Sequence, residues 1–213
     1  MRPSLIAAST ALLLSVPLMS AAGVLRDGEV NRTWTIPAVS PGQLDIKLRT
    51  GAGLSITAWD RDEVSVETDW TETRCRDATV EVTKTAQGAL IETRYPPGTT
   101  VINHNCSFGI VVKVPRRFDI KLRSAGGSVA VSGLRGDVRG QTGGGKIELA
   151  DLRGSVQLRT GGGQIHVWDS DLEGRISTGG GQVRFDNVSG GVTARSGSRR
   201  GTVRGGKITR GTI

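Results

Sequence analysis

Along the second half of the chain, aliphatic and polar residues alternate in short runs. Ile147 and Leu149 flank Glu148, Ile165 and Val167 flank His166, and Val183 and Phe185 flank Arg184. A second set, nine residues away, supplies Val138, then Val156 and Leu158, then Ile176, then Val192 and Ala194. A period of two puts such residues on one face of a strand. Between the runs lies a glycine corner that returns every 18 residues: Thr142-Gly-Gly-Gly-Lys-Ile147, Thr160-Gly-Gly-Gly-Gln-Ile165 and Thr178-Gly-Gly-Gly-Gln-Val183. A degenerate copy precedes them at Ser124-Ala-Gly-Gly-Ser-Val129, and a frayed one follows near Ser196. The opposite corner carries Gly133-Leu-Arg-Gly136, Asp151-Leu-Arg-Gly154, Asp171-Leu-Glu-Gly174 and Asn187-Val-Ser-Gly190. Its spacings of 18, 20 and 16 predict a two-residue bulge over Trp168 to Ser170 that the next strand takes back.

No run is long enough to stand alone, yet each unit brings an equivalent Val or Ile to the same place. Stacking the units resolves this, with hydrogen bonds between successive coils and inward aliphatics in continuous columns. Rungs would then lie about 4.8 Å apart. The fold expected is all-β, a single-stranded β-solenoid of 18-residue coils over residues 116–213. Ile147, Ile165 and Val183 are the columnar neighbours on which this reading depends. Residues 26–115 carry a weaker pattern, with strands expected near Val64 to Glu67, Thr79 to Thr83, Leu90 to Tyr95 and Ile110 to Val114. Asp45-Ile-Lys-Leu-Arg-Thr-Gly51 returns as Asp119-Ile-Lys-Leu-Arg-Ser-Ala125, as if a larger block had been duplicated. This stretch is read as an irregular N-terminal β-cap, continuous with the solenoid.

Together, the DIKLR-(T/S)-G and TGGG-x-(I/V) coils following an export signal resemble an adhesin family of bacterial β-strand-repeat proteins, a domain of unknown function. The similarity covers roughly residues 30–210. It implies a right-handed solenoid and a binding role at the envelope or cell surface, and it brings no catalytic residues with it.

Composition agrees with strands punctuated by turns: 31 of 213 residues are glycine and aromatics are 4%. Residues 1–22 read as a cleavable export signal, with Arg2, an apolar run from Leu5 to Leu18 and small residues at Ser20-Ala21-Ala22. The mature chain is therefore expected to be soluble and exported, either periplasmic or extracellular at the cell surface, touching a membrane only through that signal. In an oxidising compartment Cys75 and Cys106 pair by default as a disulfide. Two thiols without suitably spaced histidines do not complete a zinc shell, so no metal is expected.

Charge is divided unevenly. Residues 1–115 hold 11 Lys and Arg against 12 Asp and Glu, whereas residues 116–213 hold 17 against 8. With coils in register, outward positions form two columns, one of Lys121, Arg139, Gln157, Arg175 and Thr193, the other of Arg123, Gln141, Arg159, Ser177 and Arg195. The cations among them, Lys121, Arg123, Arg139, Arg159, Arg175 and Arg195, are the candidate site for an envelope polyanion such as acidic polysaccharide. Solvated charge on an outward face is the plain alternative. Arg199, Arg200, Arg204, Lys207 and Arg210 crowd the last coil, where cations discourage edge-to-edge pairing. Nucleic acid is not expected, because stacking aromatics are scarce and the chain is exported.

Other chemistry is thin. Gly140 to Lys146 has phosphate-loop spacing, but Ile147 stands where Ser or Thr is required and the loop recurs without its lysine. Calcium-binding turns need aspartates that the TGGG corners lack. His166, Trp168 and Asp169 form a candidate glycan contact, with His166 and Trp168 on the outward parity. Catalysis on polysaccharide would need two carboxylates at a defined separation, and is a lesser alternative. No cofactor is implied. The partners expected are an envelope polyanion, a glycan or, as the second reading, an envelope protein bound by a sensing or stress module; the oligomeric state is not encoded in these patterns.

Overall fold

The computed structural model describes residues 23–24, 31–69, 78–98, 108–197 and 203–204. The export signal, both cysteines of the expected disulfide and all of the basic tail except Arg204 lie outside the described residues. Every regular element among the described residues is a strand. The first eight are β1 (Gly23–Val24), β2 (Asn31–Pro37), β3 (Gly42–Leu48), β4 (Gly53–Trp59), β5 (Glu63–Asp69), β6 (Thr79–Thr85), β7 (Gly88–Arg94) and β8 (Gly109–Pro115). Nine more follow: β9 (Phe118–Ser124), β10 (Val129–Ser132), β11 (Val138–Thr142), β12 (Ile147–Ala150), β13 (Arg153–Thr160), β14 (Ile165–Thr178), β15 (Val183–Ser189), β16 (Val192–Ser196) and β17 (Val203–Arg204). All 17 belong to one sheet, in which parallel and antiparallel pairing are mixed.

The alternation of the second half is realised as two parallel ladders. In the first, Ile120, Val138, Val156, Gly174 and Val192 are successive partners. In the second, Val129 pairs Ile147, Ile147 pairs Ile165 and Ile165 pairs Val183, so the three residues named above do stand in one column. Each step in both ladders is 18 residues, until Val183 pairs Val203 after 20. From Ile120 to Ala194 the inward aliphatics of both ladders are almost wholly buried and belong to one core cluster.

The glycine corner closes each unit onto the one before. The hydroxyls of Thr160, Thr178 and Ser196 donate to the carbonyls of Gly145 (3.1 Å), Gly163 (2.8 Å) and Gly181 (2.7 Å), each 15 residues earlier. A buried threonine therefore opens the corners at Thr160 and Thr178, and a serine the one at Ser196, because the hydroxyl satisfies a carbonyl of the preceding unit.

The predicted bulge at Trp168 to Ser170 is not there. Gly133, Asp151, Asp169 and Asn187 follow at strict 18-residue intervals, all with positive φ, and β14 runs unbroken through the corner. What slides is the side-chain pattern. Ser170 occupies the place of Leu152 and Val188, and Leu172 pairs with Gly154 where the motif has its glycine. A slide of two residues keeps every side chain on its own face, so the backbone register survives it. The corner aspartates are accordingly Asp151 and Asp169, not Asp171.

The N-terminal region joins the same sheet. Strands β3 and β4 pair in parallel with β9 and β10, and on their other side with β7 and β8. Pairing then turns antiparallel, from β7 to β6 and β1, and from β8 to β5 and β2. The duplicated DIKLR segments lie side by side but two residues out of step, Asp45 facing Lys121 rather than Asp119.

Candidate functional site

On the outward side of the first ladder, residues at strand positions of one parity line up across the units. Lys121, Arg139, Gln157, Arg175 and Thr193 are successive partners, as are Arg123, Gln141, Arg159, Ser177 and Arg195. The six predicted cations are all exposed and share one strip. Arg139 donates to Asp137 at 2.6 Å. The other five have no acidic partner among the described residues; elsewhere on the surface some cations are paired and others, Arg49, Lys84, Arg117 and Arg153, are not.

The strip has clear borders. Towards the strand starts run Asp119, Asp137 and Glu173, with Ser155 between the last two. The Asp137 carboxylate accepts hydrogen bonds from Ser155 (2.6 Å) and Arg139, which hold it below the usual carboxylate range. At the N-terminal end Asp45 faces Lys121, and Lys47, which continues the second column, is spent on Glu92 at 3.1 Å. Between the two columns runs an open groove of about 420 Å³. Leu122, Gly140 and Leu158 make its floor, and Arg123, Arg139, Arg159 and Arg175 its sides, with Gln141, Gln157 and Ser177. Gly140 contributes by lacking a side chain: a Cβ there would run into the Leu122 backbone.

The second candidate group lies on the outward side of the other ladder. The His166 and Trp168 rings are 4.6 Å apart, and His166 Nε2 is 2.6 Å from Asp186 Oδ2. Asp186 also accepts from Arg184 at 2.7 Å, and these two hydrogen bonds, the arginine's first, lower its carboxyl below the ordinary value. Asp169 does not join them. It sits exposed at the corner with φ 51° and accepts a hydrogen bond from Asn187 Nδ2 at 2.7 Å. Sequence reasoning missed Asp186 and Arg184, although each stands 18 residues beyond a candidate it should neighbour, Trp168 and His166. The histidine and aspartate are bound to each other, and His166, Trp168, Asp186 and Arg184 all remain at least partly exposed.

Lys146 of the phosphate-loop-like stretch pairs with Glu148 at 2.6 Å, and a strand, not a helix, follows it. No group of three His, Cys, Asp or Glu able to hold a metal ion occurs among the described residues.

No family model and no curated protein matches the chain. Among solved structures it is similar to a candidate cell adhesion protein from Clostridium sporogenes, at 11% identity and a TM-score of 0.44, covering 81% of this chain and 97% of that one. A candidate adhesin from Bacteroides fragilis is similar at 10% identity and a TM-score of 0.31, with 81% and 98% covered. A candidate lipid-binding protein from Parabacteroides distasonis is similar at 11% identity and a TM-score of 0.24, with 81% and 95% covered.

Proposed function

We propose that this chain is an exported, adhesin-like binding module without catalytic activity, and that its cationic strip takes up an anionic polymer or glycan of the cell envelope. In this reading the 18-residue units are coils of a solenoid, residues 26–115 cap the first coil, and the flat outward face of the first ladder is the working surface. The observation that carries the reading is the row of five exposed cations with no acidic partner among the described residues, gathered along a groove. Like charges gathered on neighbouring strands oppose folding by small amounts each. Arg49, Lys84, Arg117 and Arg153 are also exposed without an acidic partner among the described residues, so what sets the strip apart is the gathering of its cations along one groove.

Protection of an open sheet edge is the competing explanation, and position argues against it. Edge protection needs cations on edge strands. Lys121, Arg123, Arg139, Arg159 and Arg175 lie on strands paired on both sides, and Arg195 alone lies on β16, which is paired on one side among the described residues. A field made by several like charges along a groove concentrates an oppositely charged polymer and weakens with salt.

Retention on a heparin resin tests this. The wild-type protein should be held at low ionic strength and elute as salt rises, and Arg159→Glu/Arg175→Glu should flow through while keeping its unfolding midpoint. Equal retention of the folded double variant would remove the strip as the site.

A further inference from the structure

The cations of the strip are arranged more regularly than attraction for a polyanion requires. Each unit places one arginine in the two columns, and the arginine changes column at every step: Arg123, Arg139, Arg159, Arg175, Arg195; Lys121 stands opposite the first, and a neutral hydrogen-bonding residue opposite each of the other four. The neutral residues Gln141, Gln157, Ser177 and Thr193 fill the opposite places. The result is a zigzag of five guanidinium groups, one to each rung of about 4.8 Å with about 7 Å between columns; the first rung also carries Lys121, and the Arg139 guanidinium is shared with Asp137.

We infer that the strip is shaped for a linear 1,4-linked polyuronate lying along the stacking direction, one sugar to each rung. This rests on the polyanion reading above and narrows it. An extended 1,4-linked uronate chain advances by close to one rung per sugar, and it turns successive carboxylates to opposite sides. Each sugar then presents a carboxylate to one column and ring hydroxyls to the other, which is the Arg and Gln or Ser alternation of the protein. Arginine suits the task because its planar fork meets a carboxylate with two parallel hydrogen bonds. Inorganic polyphosphate sets its charges closer than one rung and has no hydroxyls for the neutral column, and a glycerol-phosphate chain sets them farther apart. Neither column contains an aromatic residue, so bases of a single-stranded nucleic acid would find no stacking platform. The carboxylates of Asp119, Asp137 and Glu173 along one border would repel a chain that strayed from the groove.

The test compares oligouronates of increasing length, polyphosphate, a glycerol-phosphate polymer, heparin and a neutral 1,4-linked glucan, using the purified protein and calorimetry. Affinity for oligouronates should rise with length and level off once the chain reaches all five arginines. Exchanging charge within one unit, Gln157→Arg/Arg159→Gln, keeps the net charge and straightens the zigzag. It should weaken polyuronate binding about tenfold, the scale of one charged hydrogen-bonded contact, while heparin retention changes less than about twofold. Arg159→Lys, which keeps the charge in place and removes only the fork, should also weaken polyuronate binding, and it serves if the exchange variant fails to fold. Equal polyuronate affinity in the wild type and the folded variants, or polyphosphate bound as tightly at equal charge, overturns the spacing inference and leaves the polyanion reading standing. If no anionic polymer binds at low salt, both fall.

Discussion

Two adjacent glycines of the same written motif, the second and the third, answer to different constraints. A Cβ built on Gly162 meets nothing within 4 Å, whereas one on Gly163 would sit inside the carbonyl group of Gly145 in the unit before. Gly126, Gly144 and Gly180 share the open setting of Gly162, and Gly127, Gly145 and Gly181 the crowded one of Gly163. The third glycine of each corner is thus required by the close stacking of backbones, and the second is free. Gly162→Ala should leave stability unchanged or raise it by about 0.5 kcal/mol through the unfolded chain. Gly163→Ala should cost about 2–3 kcal/mol, because backbone has to move to admit the methyl group. Urea denaturation of the two variants measures the difference. The threonine that opens the corner was legible as a repeated residue but not as a bonding group, since its acceptor stands 15 residues earlier, off the 18-residue beat.

At the scale of the strand, β14 shows how far a repeat can depart from its pattern without leaving its register. Leu172 fills the place that glycine holds in the neighbouring units, while Ser170, where a leucine or valine would stand, donates to the Trp168 carbonyl and accepts from the Leu152 amide. Substituting Leu172→Gly would make the unit look more like its neighbours, and should nevertheless destabilise it by about 3 kcal/mol. Leu172 is 1% exposed, and with Ser170 beside it no other apolar side chain can fill the space. A thermal unfolding series measures this. The aliphatic alternation was enough to place Ile147 beside Ile165 and to set the columns of the cationic strip. Aligning the corner motifs by their letters gave spacings of 20 and 16, because sequence similarity does not distinguish a slide of side chains from an insertion in the chain. The letters of the duplicated DIKLR segments likewise do not reveal their register, in which Asp45 faces Lys121. The antiparallel pairing of β2, β5 and β6 was not legible, since alternation specifies a face and not a direction.

Across the molecule, the strands from β10 to β16 pair with one another at 18-residue steps, and if they are coils of the proposed solenoid their stability is close to a sum of neighbour terms. Amides of β12 and β13, paired on both sides, should exchange with solvent most slowly. Those of β2 and β16, each paired on one side among the described residues, should exchange earliest, and hydrogen exchange resolved by residue measures the order. Uniform exchange rates along the ladders would contradict a sum of neighbour terms. The open glycines at 126, 144, 162 and 180 lead to one more consequence. They form a vacant row down a corner, with equal increments between members and no packing demand at any of them. Side chains installed there, cysteines carrying dyes for example, would make the protein a graduated scale whose marks are set by the backbone alone.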